Sequence, residues 1–325
     1  MELIFMEEKT VCGRFAPTPS GRIHLGNIFC SLLAWLAAKS QGGKIVLRIE
    51  DLDSLRCPRA NADALAADLE WLGLTWDAGA YCNKNSEAYF QSRRFPIYAE
   101  YLHQLEQQQL TYPCFCSRGE LHAANAPHLS DGRVIYPGTC RGLTPSEQQA
   151  RAKLRSPAYR IRVPDEPLSF QDGLYGKYTE NLAQECGDFI VRRSDGVYAY
   201  QLAVVIDDAL MGINQVVRGC DLLSSTPMQL YLYRVLGLPA PKFTHIPLLV
   251  APDGRRLAKR DRDLDLEQLR RQYSSPEPLL GYLAYLAGQL PKPEPLRAQD
   301  LLGFFELNKV PTRNIVVPTT LPPLK

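Results

Sequence analysis

The chain has 325 residues, with 37 Lys and Arg against 35 Asp and Glu and a formal net charge of +2. That length supports a well-buried core and two or three structural units, and the near balance of charge excludes a grossly cationic polymer binder while leaving room for a local basic face. No apolar run approaches the roughly 18 residues that span a bilayer. The N-terminal MELIFMEEKT has too short an apolar stretch for a secretory signal, and an odd count of nine cysteines then points to reduced thiols in the cytoplasm.

Val11 to Phe15 is a short extended run. Pro17, Pro19 and Gly21 break regular structure after it, because each proline fixes its own φ and disfavours helix in the residue before it. Ile28 to Ala38 is dense in apolar helix formers, which predicts a buried helix stopped by Gly42-Gly43. Lys44 to Ile49 is a β-branched-rich strand with Glu50-Asp51-Leu52-Asp53 at its end. A βαβ unit of this kind binds phosphate-bearing ligands at the carboxyl edge of its first strand, next to the helix N-terminus. His24-Leu25-Gly26-Asn27 opens the helix. An imidazole there can donate to a phosphate oxygen, and Gly26 lets a nucleotide approach the backbone; a histidine that simply caps the helix has the same pattern.

Cys57 to Trp71 carries a helical stripe of Ala62, Leu65, Ala66 and Leu69, with Pro58 at the start and Gly73 at the end. Asp77 to Asn83 reads as a loop with a short extended piece. Ser86 is expected to cap a helix that carries Tyr89 and Phe90, is interrupted or kinked at Pro96, and continues to Gln109. Next come Cys114, Cys116 and Cys140, within residues 113–141. Thiolates this close converge on a soft or borderline metal and supply three corners of a tetrahedral zinc site; unconnected buried cysteines are the alternative. The chemistry leaves the fourth ligand open between His122, His128 and Tyr136.

Thr144-Pro-Ser-Glu is a helix start. Tyr159 to Val163, Asp188 to Arg192 and Val197 to Leu202 read as strands, the last two joined by a Ser194-Asp195-Gly196 turn. A strand over 214–218 and a helix over 226–236, closed by Gly237, follow. His245 to Val250 is a strand leading into the Asp253-Gly254 turn and the basic stretch Arg255 to Asp261. Residues 262–290 suggest one or two helices, and Leu301 to Leu307 one more, docked, in a tail with seven prolines among its last 35 residues.

The run APTPSGRIHLGN resembles the first signature of class I aminoacyl-tRNA synthetases in the glutamyl/glutaminyl branch, Ala-Pro-Ser/Thr-Pro-Ser/Thr-Gly, two residues, then His-apolar-Gly. Asn27 stands where the general class I motif has its second His. The basic stretch is similar to the class I KMSKS loop, with Lys259 in the place of its second lysine. Arg256 replaces the first lysine, and Ala258 and Arg260 replace the serines. The resemblance covers about residues 10–290 and implies an α/β fold. It would be a Rossmann-like class I catalytic core with a zinc-bearing insertion and a short helical C-terminal part. Residues 1–112 would form the first half of the nucleotide-binding fold, 113–185 an insertion near the tRNA acceptor end with the zinc site at 114–140, 186–245 the second half, and 246–325 the KMSKS-like loop and C-terminal region. The relatives' C-x-C…Y-x-x-x-C pattern matches Cys114, Cys116, Tyr136 and Cys140, which implies Tyr136 as the fourth ligand of one structural zinc ion.

For the substrates, the resemblance implies ATP with Mg²⁺ at His24, Gly26, Asn27 and Lys259, with His24 and Lys259 balancing charge on the phosphates. It implies L-glutamate held by Arg14 and Arg218, its ammonium on Glu50, with Phe15, Ala16, Pro17 and Thr18 on the pocket floor and Tyr200 on its wall. Only 325 − 259 = 66 residues follow Lys259, too few for an anticodon-reading domain. A core of this length resembles the short branch of the family that activates glutamate without tRNA and transfers it to the queuosine base of tRNA(Asp). Three alternatives stay open: a minimal enzyme that charges the tRNA 3′ end, a small-molecule ligase with the same adenylation chemistry, which the zinc-bearing insertion disfavours, and a non-catalytic RNA-binding relative, which Arg256 and Ala258 motivate.

Overall fold

The computed structural model describes residues 10–83, 85–117, 119–120, 135–257, 264–318 and 321. The chain enters through β1 (Cys12–Phe15), loops into α1 (Leu25–Lys39) and returns in β2 (Lys44–Leu47). The helix α2 (Arg59–Trp71) then leads to the two-residue β3 (Ala78–Gly79). All three strands are parallel, with Cys12 opposite Lys44 and Val46 opposite Ala78. α3 (Phe95–Gln107) follows, and then an antiparallel region. It comprises β4 (Thr111–Cys114), α4 (Pro145–Ala152), β5 (Ala158–Ile161), the hairpin β6 (Pro167–Asp172) and β7 (Gly176–Asn181), the single turn α5 (Leu182–Glu185), and β8 (Ile190–Arg192). In it β5 pairs with both β4 and β8. Parallel structure resumes with α6 (Tyr200–Leu210), β9 (Gln215–Gly219), α7 (Thr226–Leu236) and β10 (Lys242–Ile246). The C-terminal part holds β11 (Leu249–Val250), α8 (Leu266–Gln272), α9 (Glu277–Leu286), α10 (Ala298–Leu301) and β12 (Ile315–Val316), which lies parallel to β11.

The two parallel halves meet between β1 and β9. The Asn214 N–H donates to Cys12 O at 3.0 Å, and the Cys12 N–H donates to Asn214 Oδ1 at 2.7 Å. Read across, the strands stand in the order β3, β2, β1, β9, β10, so the winding reverses between β1 and β9. In open α/β sheets the crevice at that reversal, beyond the carboxyl ends of the strands, is where ligands bind. α1 is buried on nearly every face, from Leu25 through Ala38, and shares one apolar core with α2, α9 and α10. A second core joins α3, α6 and α7 to β6 and β8.

Several expected elements change. Val197–Leu202 is not a strand: only Tyr198 bridges to Arg192, and from Tyr200 the chain is helical. Leu202 to Ile206 is apolar on consecutive positions because α6 is buried between α3 and α7, and a run of that length reads alike as strand or buried helix. Ser86 starts a 3₁₀ turn rather than an α-helix, and Pro96 sits in the first turn of α3, where its missing N–H costs no hydrogen bond, so it begins that helix instead of kinking it. The strand expected from His245 to Val250 starts earlier, at Lys242, and is split at Pro247 into β10 and β11. The helix expected over Leu301–Leu307 is instead the short α10, ending at Leu301.

Candidate active site

A cavity of about 660 Å³ opens at the β1/β9 crevice. Its walls bring together every expected glutamate and nucleotide residue among the described residues: Arg14, Phe15, Ala16, Pro17 and Thr18 from β1 and its loop, His24, Gly26 and Asn27 at the start of α1, Glu50 after β2, Tyr200 at the start of α6, and Arg218 on β9. Lys259 lies outside the described residues, as do His122 and His128. The described residues on either side of 258–263 are tied to the site. Leu257 lines the cavity, while on the far side Leu264 O accepts from the Leu25 N–H at 3.1 Å and the Leu266 N–H donates to Ile23 O at 3.0 Å. Arg256 pairs with Asp221 at 2.6 Å across the cavity mouth.

His24 does cap α1. Its Nδ1 accepts from the Gly26 N–H at 3.1 Å, and Asn27 Oδ1 accepts from the His24 N–H at 3.2 Å, a reciprocal capping box. Capping and ligand binding are compatible here: with Nδ1 accepting, the proton of the neutral ring sits on Nε2, which makes Nε2 a donor. α1 has no acidic residue in its first turn, so the partial positive charge of its N-terminus is not neutralised from within the helix.

Beneath the cavity lies a buried charge network that sequence reasoning did not find. Arg48, fully buried on β2's extension, donates to Asp208 Oδ1 at 2.6 Å and to Glu50 Oε1 at 3.1 Å, and stands 3.8 Å from Asp207. Asp207 also accepts from Gln91 at 2.8 Å, Arg94 at 2.6 Å and Tyr98 at 2.7 Å. Arg14 stands 3.6 Å from Asp208. Burial pushes the Glu50 carboxyl up from its ordinary pKa, while Arg48 and then Arg14 pull it back towards ionisation. The signal for this network was the pair Asp207-Asp208 inside an otherwise apolar run: two acids in a buried helix call for buried cations.

Arg218 differs from every other buried arginine in this cluster. It is 3% exposed, and its three protein partners are all neutral: Nε donates to His245 Nε2 at 3.1 Å, Nη1 to Gln229 Oε1 at 2.8 Å, and Nη2 to Thr226 Oγ1 at 2.8 Å. Among the described residues no carboxylate lies within ion-pair distance of it. A guanidinium has five N–H groups, so one on each Nη remains for a ligand, as a planar fork. An isolated buried cation is costly, and a bound carboxylate removes that cost.

Between β4 and α4, the Cys114, Cys116 and Cys140 sulfurs lie within 4.8 Å of one another. Cys116 and Cys140 are 3.6 Å apart, and Tyr136 Oη is 3.5 Å from Cys114 and 4.0 Å from Cys116. A tetrahedral ion with metal–sulfur bonds of about 2.3 Å has sulfur–sulfur edges of about 3.8 Å, so this donor set fits a zinc-sized ion. The backbone N–H of Cys140 donates to Tyr136 Oη at 2.8 Å. Arg160 donates to Cys114 Sγ at 3.2 Å and stacks 3.7 Å over the Tyr136 ring, a cation placed to favour anionic ligands.

A crevice at the winding reversal of a parallel sheet, bordered by the N-terminus of α1, is a nucleotide-type site. The chain matches the tRNA synthetases class I (E and Q) catalytic domain over residues 10–315, and it belongs to that family. Within the family it is 48% identical over 313 residues to the glutamyl-Q tRNA(Asp) synthetase of Symbiobacterium thermophilum, covering 95% of this chain and 96% of that one. Its identity to the protein of the same name from Nitratidesulfovibrio vulgaris is 47% over 311 residues, covering 95% and 96% of the two chains. The crystal structure of a glutamate tRNA ligase from Elizabethkingia meningosepticum in complex with its amino acid matches with a TM-score of 0.78 at 28% identity, over 95% of this chain and 67% of that chain. No helix among the described residues is long and apolar enough to cross a membrane, and none of the nine cysteines is in a disulfide.

Proposed function

We propose that this chain activates L-glutamate with ATP and Mg²⁺ to glutamyl adenylate, without tRNA, and transfers the glutamate to the queuosine base at the anticodon wobble position of tRNA(Asp). The observation that carries the amino-acid half is Arg218, a buried guanidinium with only neutral partners among the described residues, lining the same cavity as Glu50. Glutamate brings the side-chain carboxylate that Arg218 lacks, and an ammonium for Glu50. Glutamine brings no charge and would leave the cation unpaired. The acceptor half is supported by the near full-length relatives that carry the glutamyl-Q tRNA(Asp) synthetase name.

In the first step the α-carboxylate attacks the α-phosphorus and pyrophosphate leaves. His24 donates from Nε2, the α1 N-terminus supplies backbone N–H groups, and Lys259 adds its charge. Arg14 sits between Asp208 and the Val217 carbonyl, 3.5 Å from the latter, and directs its charge to the substrate's α-carboxylate side. We assign residues 1–112 and 186–245 to the two halves of the catalytic fold, 113–185 to the insertion, and 246–325 to the loop and its C-terminal support. The reading also places the protein in the cytoplasm, with its tRNA substrate.

Cys114, Cys116, Cys140 and Tyr136 would hold one zinc ion, a closed structural site that ties β4 to the segment before α4. Purified protein is expected to carry about one zinc per chain by elemental analysis, Cys140→Ser to carry almost none, and Tyr136→Phe to keep zinc but release it faster to a chelator. Full zinc in Cys140→Ser would rule the site out.

The deciding experiment uses labelled glutamate, ATP, Mg²⁺ and queuosine-containing tRNA(Asp), followed by cleavage of the tRNA. Label on the anticodon fragment is expected. Label at the 3′ end would make the chain a minimal charging enzyme, and absence of glutamate-dependent pyrophosphate exchange would end the adenylation reading altogether.

A further inference from the structure

Arg218 is held by a relay that begins 46 positions earlier in the chain. Asp172, at the end of β6, receives four protein donors. Oδ1 accepts the Leu174 and Tyr175 N–H groups at 3.0 and 2.9 Å, and Oδ2 accepts the His245 backbone N–H at 3.1 Å and meets His245 Nδ1 at 2.6 Å. Both side chains are essentially sealed from solvent, and His245 stacks on Phe243 with the rings 12° from parallel. The approach of the β6–β7 hairpin to β10 has no slack. The Gly173 N–H donates to Phe243 O at 2.9 Å, and a Cβ on Gly173 would lie 2.2 Å from Thr244 Oγ1.

We propose that Asp172 and His245 are a positioning pair that holds the imidazole in its neutral Nδ1–H tautomer, so that the Nε2 lone pair fixes Arg218 in the orientation that grips the substrate's side-chain carboxylate. The proposal rests on the glutamate reading above. An ionised Asp172 can only accept, so the proton at the 2.6 Å contact belongs to Nδ1. Nε2 is then an acceptor, as the Arg218 Nε–H beside it requires. The groups facing the imidazole are Asp172 from β6, Arg218 from β9, the Thr226 hydroxyl from α7, and the Phe170 and Phe243 rings; Arg14 acts from further off. Burial pushes the imidazole pKa below its ordinary value against the pull of Asp172, and the Arg218 charge adds to that push, so the ring stays neutral near pH 7. The other tautomer, or an imidazolium, would aim N–H at N–H and displace the guanidinium. Neither Asp172 nor His245 needs to touch substrate.

The test is Asp172→Asn. Its Oδ1 keeps the two loop amides, so the new NH₂ faces Nδ1 and drives the proton to Nε2, the same tautomer error an asparagine causes beside a catalytic histidine in serine proteases. The KM for glutamate in pyrophosphate exchange is expected to rise about tenfold or more, as for a lost hydrogen bond to a charged group, while the KM for ATP stays within about twofold. In a His245→Gln background, where the amide oxygen accepts from Arg218 without any tautomer to control, the same change is expected to add less than about twofold. Nitrogen NMR of the histidines is expected to show His245 as Nδ1–H in the wild type and as Nε2–H in the variant. An unchanged glutamate KM in Asp172→Asn, an equal rise for ATP, full additivity with His245→Gln, or Nε2–H in the wild type would each overturn the proposal. Should wild-type exchange not depend on glutamate, the glutamate reading fails, and the NMR tautomers decide the Asp172–His245 relay by themselves.

Discussion

Arg218→Met is expected to cut kcat/KM for glutamate in pyrophosphate exchange about a thousandfold while leaving Tm within about 4 °C of the wild type. The two halves of this expectation come from one feature. With glutamate bound, the guanidinium and a carboxylate form a buried, hydrogen-bonded charge pair, and truncating one member of such a pair costs about 4 kcal/mol. Without glutamate, the cation is 3% exposed, and among the described residues it has the neutral Thr226, Gln229 and His245 as hydrogen-bond partners and the Phe243 ring 5.0 Å from its guanidinium carbon. Methionine removes its desolvation cost and loses three hydrogen bonds to neutral groups, and these effects nearly cancel, to within about 2 kcal/mol. Thr226 can turn its hydroxyl to His245 Nε2 or to Leu222 O, and Gln229 keeps its bond to Gln201 at 2.7 Å, so little is left stranded. Steady-state exchange kinetics and a thermal melt on the same preparation check both halves. A variant that melts far lower would show that Arg218 is structural, and one that retains a tenth of the activity would remove it from the pocket.

The residues at the nucleotide side of the cavity were legible because they sit in one local motif, whereas Glu50, Tyr200 and Arg218 stand on separate elements and were reached through the family resemblance. His24, Gly26 and Asn27 lie in one helix start, and the Thr144–Glu147 capping box and the Gly237 terminus, with φ at +65°, were equally local. What lay hidden was whatever depends on strands meeting across the sheet. Asp172 and His245 are 73 residues apart, and only the docking of the β6–β7 hairpin on β10 brings them together. β6 alternates cleanly between exposed and buried positions, but it opens on a proline and carries polar residues on its outer face, which masks it as loop. Arg48 stood in plain view between Leu47 and Ile49, yet a lone arginine after a strand does not announce its partners; two of these, Asp207 and Asp208, come from α6, some 160 residues later. Tyr200 was placed on the cavity wall but on a strand. It reaches the wall from the first turn of α6, whose apolar run hides the helical period because both faces are buried.

Asp207→Ala is expected to do the reverse of Arg218→Met: it should lower stability by about 4 kcal/mol, with a fall in Tm of about 8 °C or more. Asp207 is fully buried on α6, and three donors converge on it within 2.8 Å, from Gln91, Arg94 and Tyr98, with Arg48 Nε at 3.8 Å. Removing it leaves Arg94 without the only carboxylate described within ion-pair distance and Arg48 with two acids in place of three, all out of water. A buried cation stripped of its partner costs far more than the pair contributed, because neither solvent nor a rearranged surface can replace the lost anion. The same change reaches the site through Arg48. That guanidinium divides its hydrogen bonds between Asp208 and Glu50, and with Asp207 gone it is free to shift towards Asp208, away from the carboxylate proposed to take the substrate ammonium. Denaturant melts should therefore show the loss of stability in the free protein, and pyrophosphate exchange below the melting range should show a higher glutamate KM. A variant as stable as the wild type would mean that Arg94 finds water, and that the charges under the cavity are less sealed than their burial indicates.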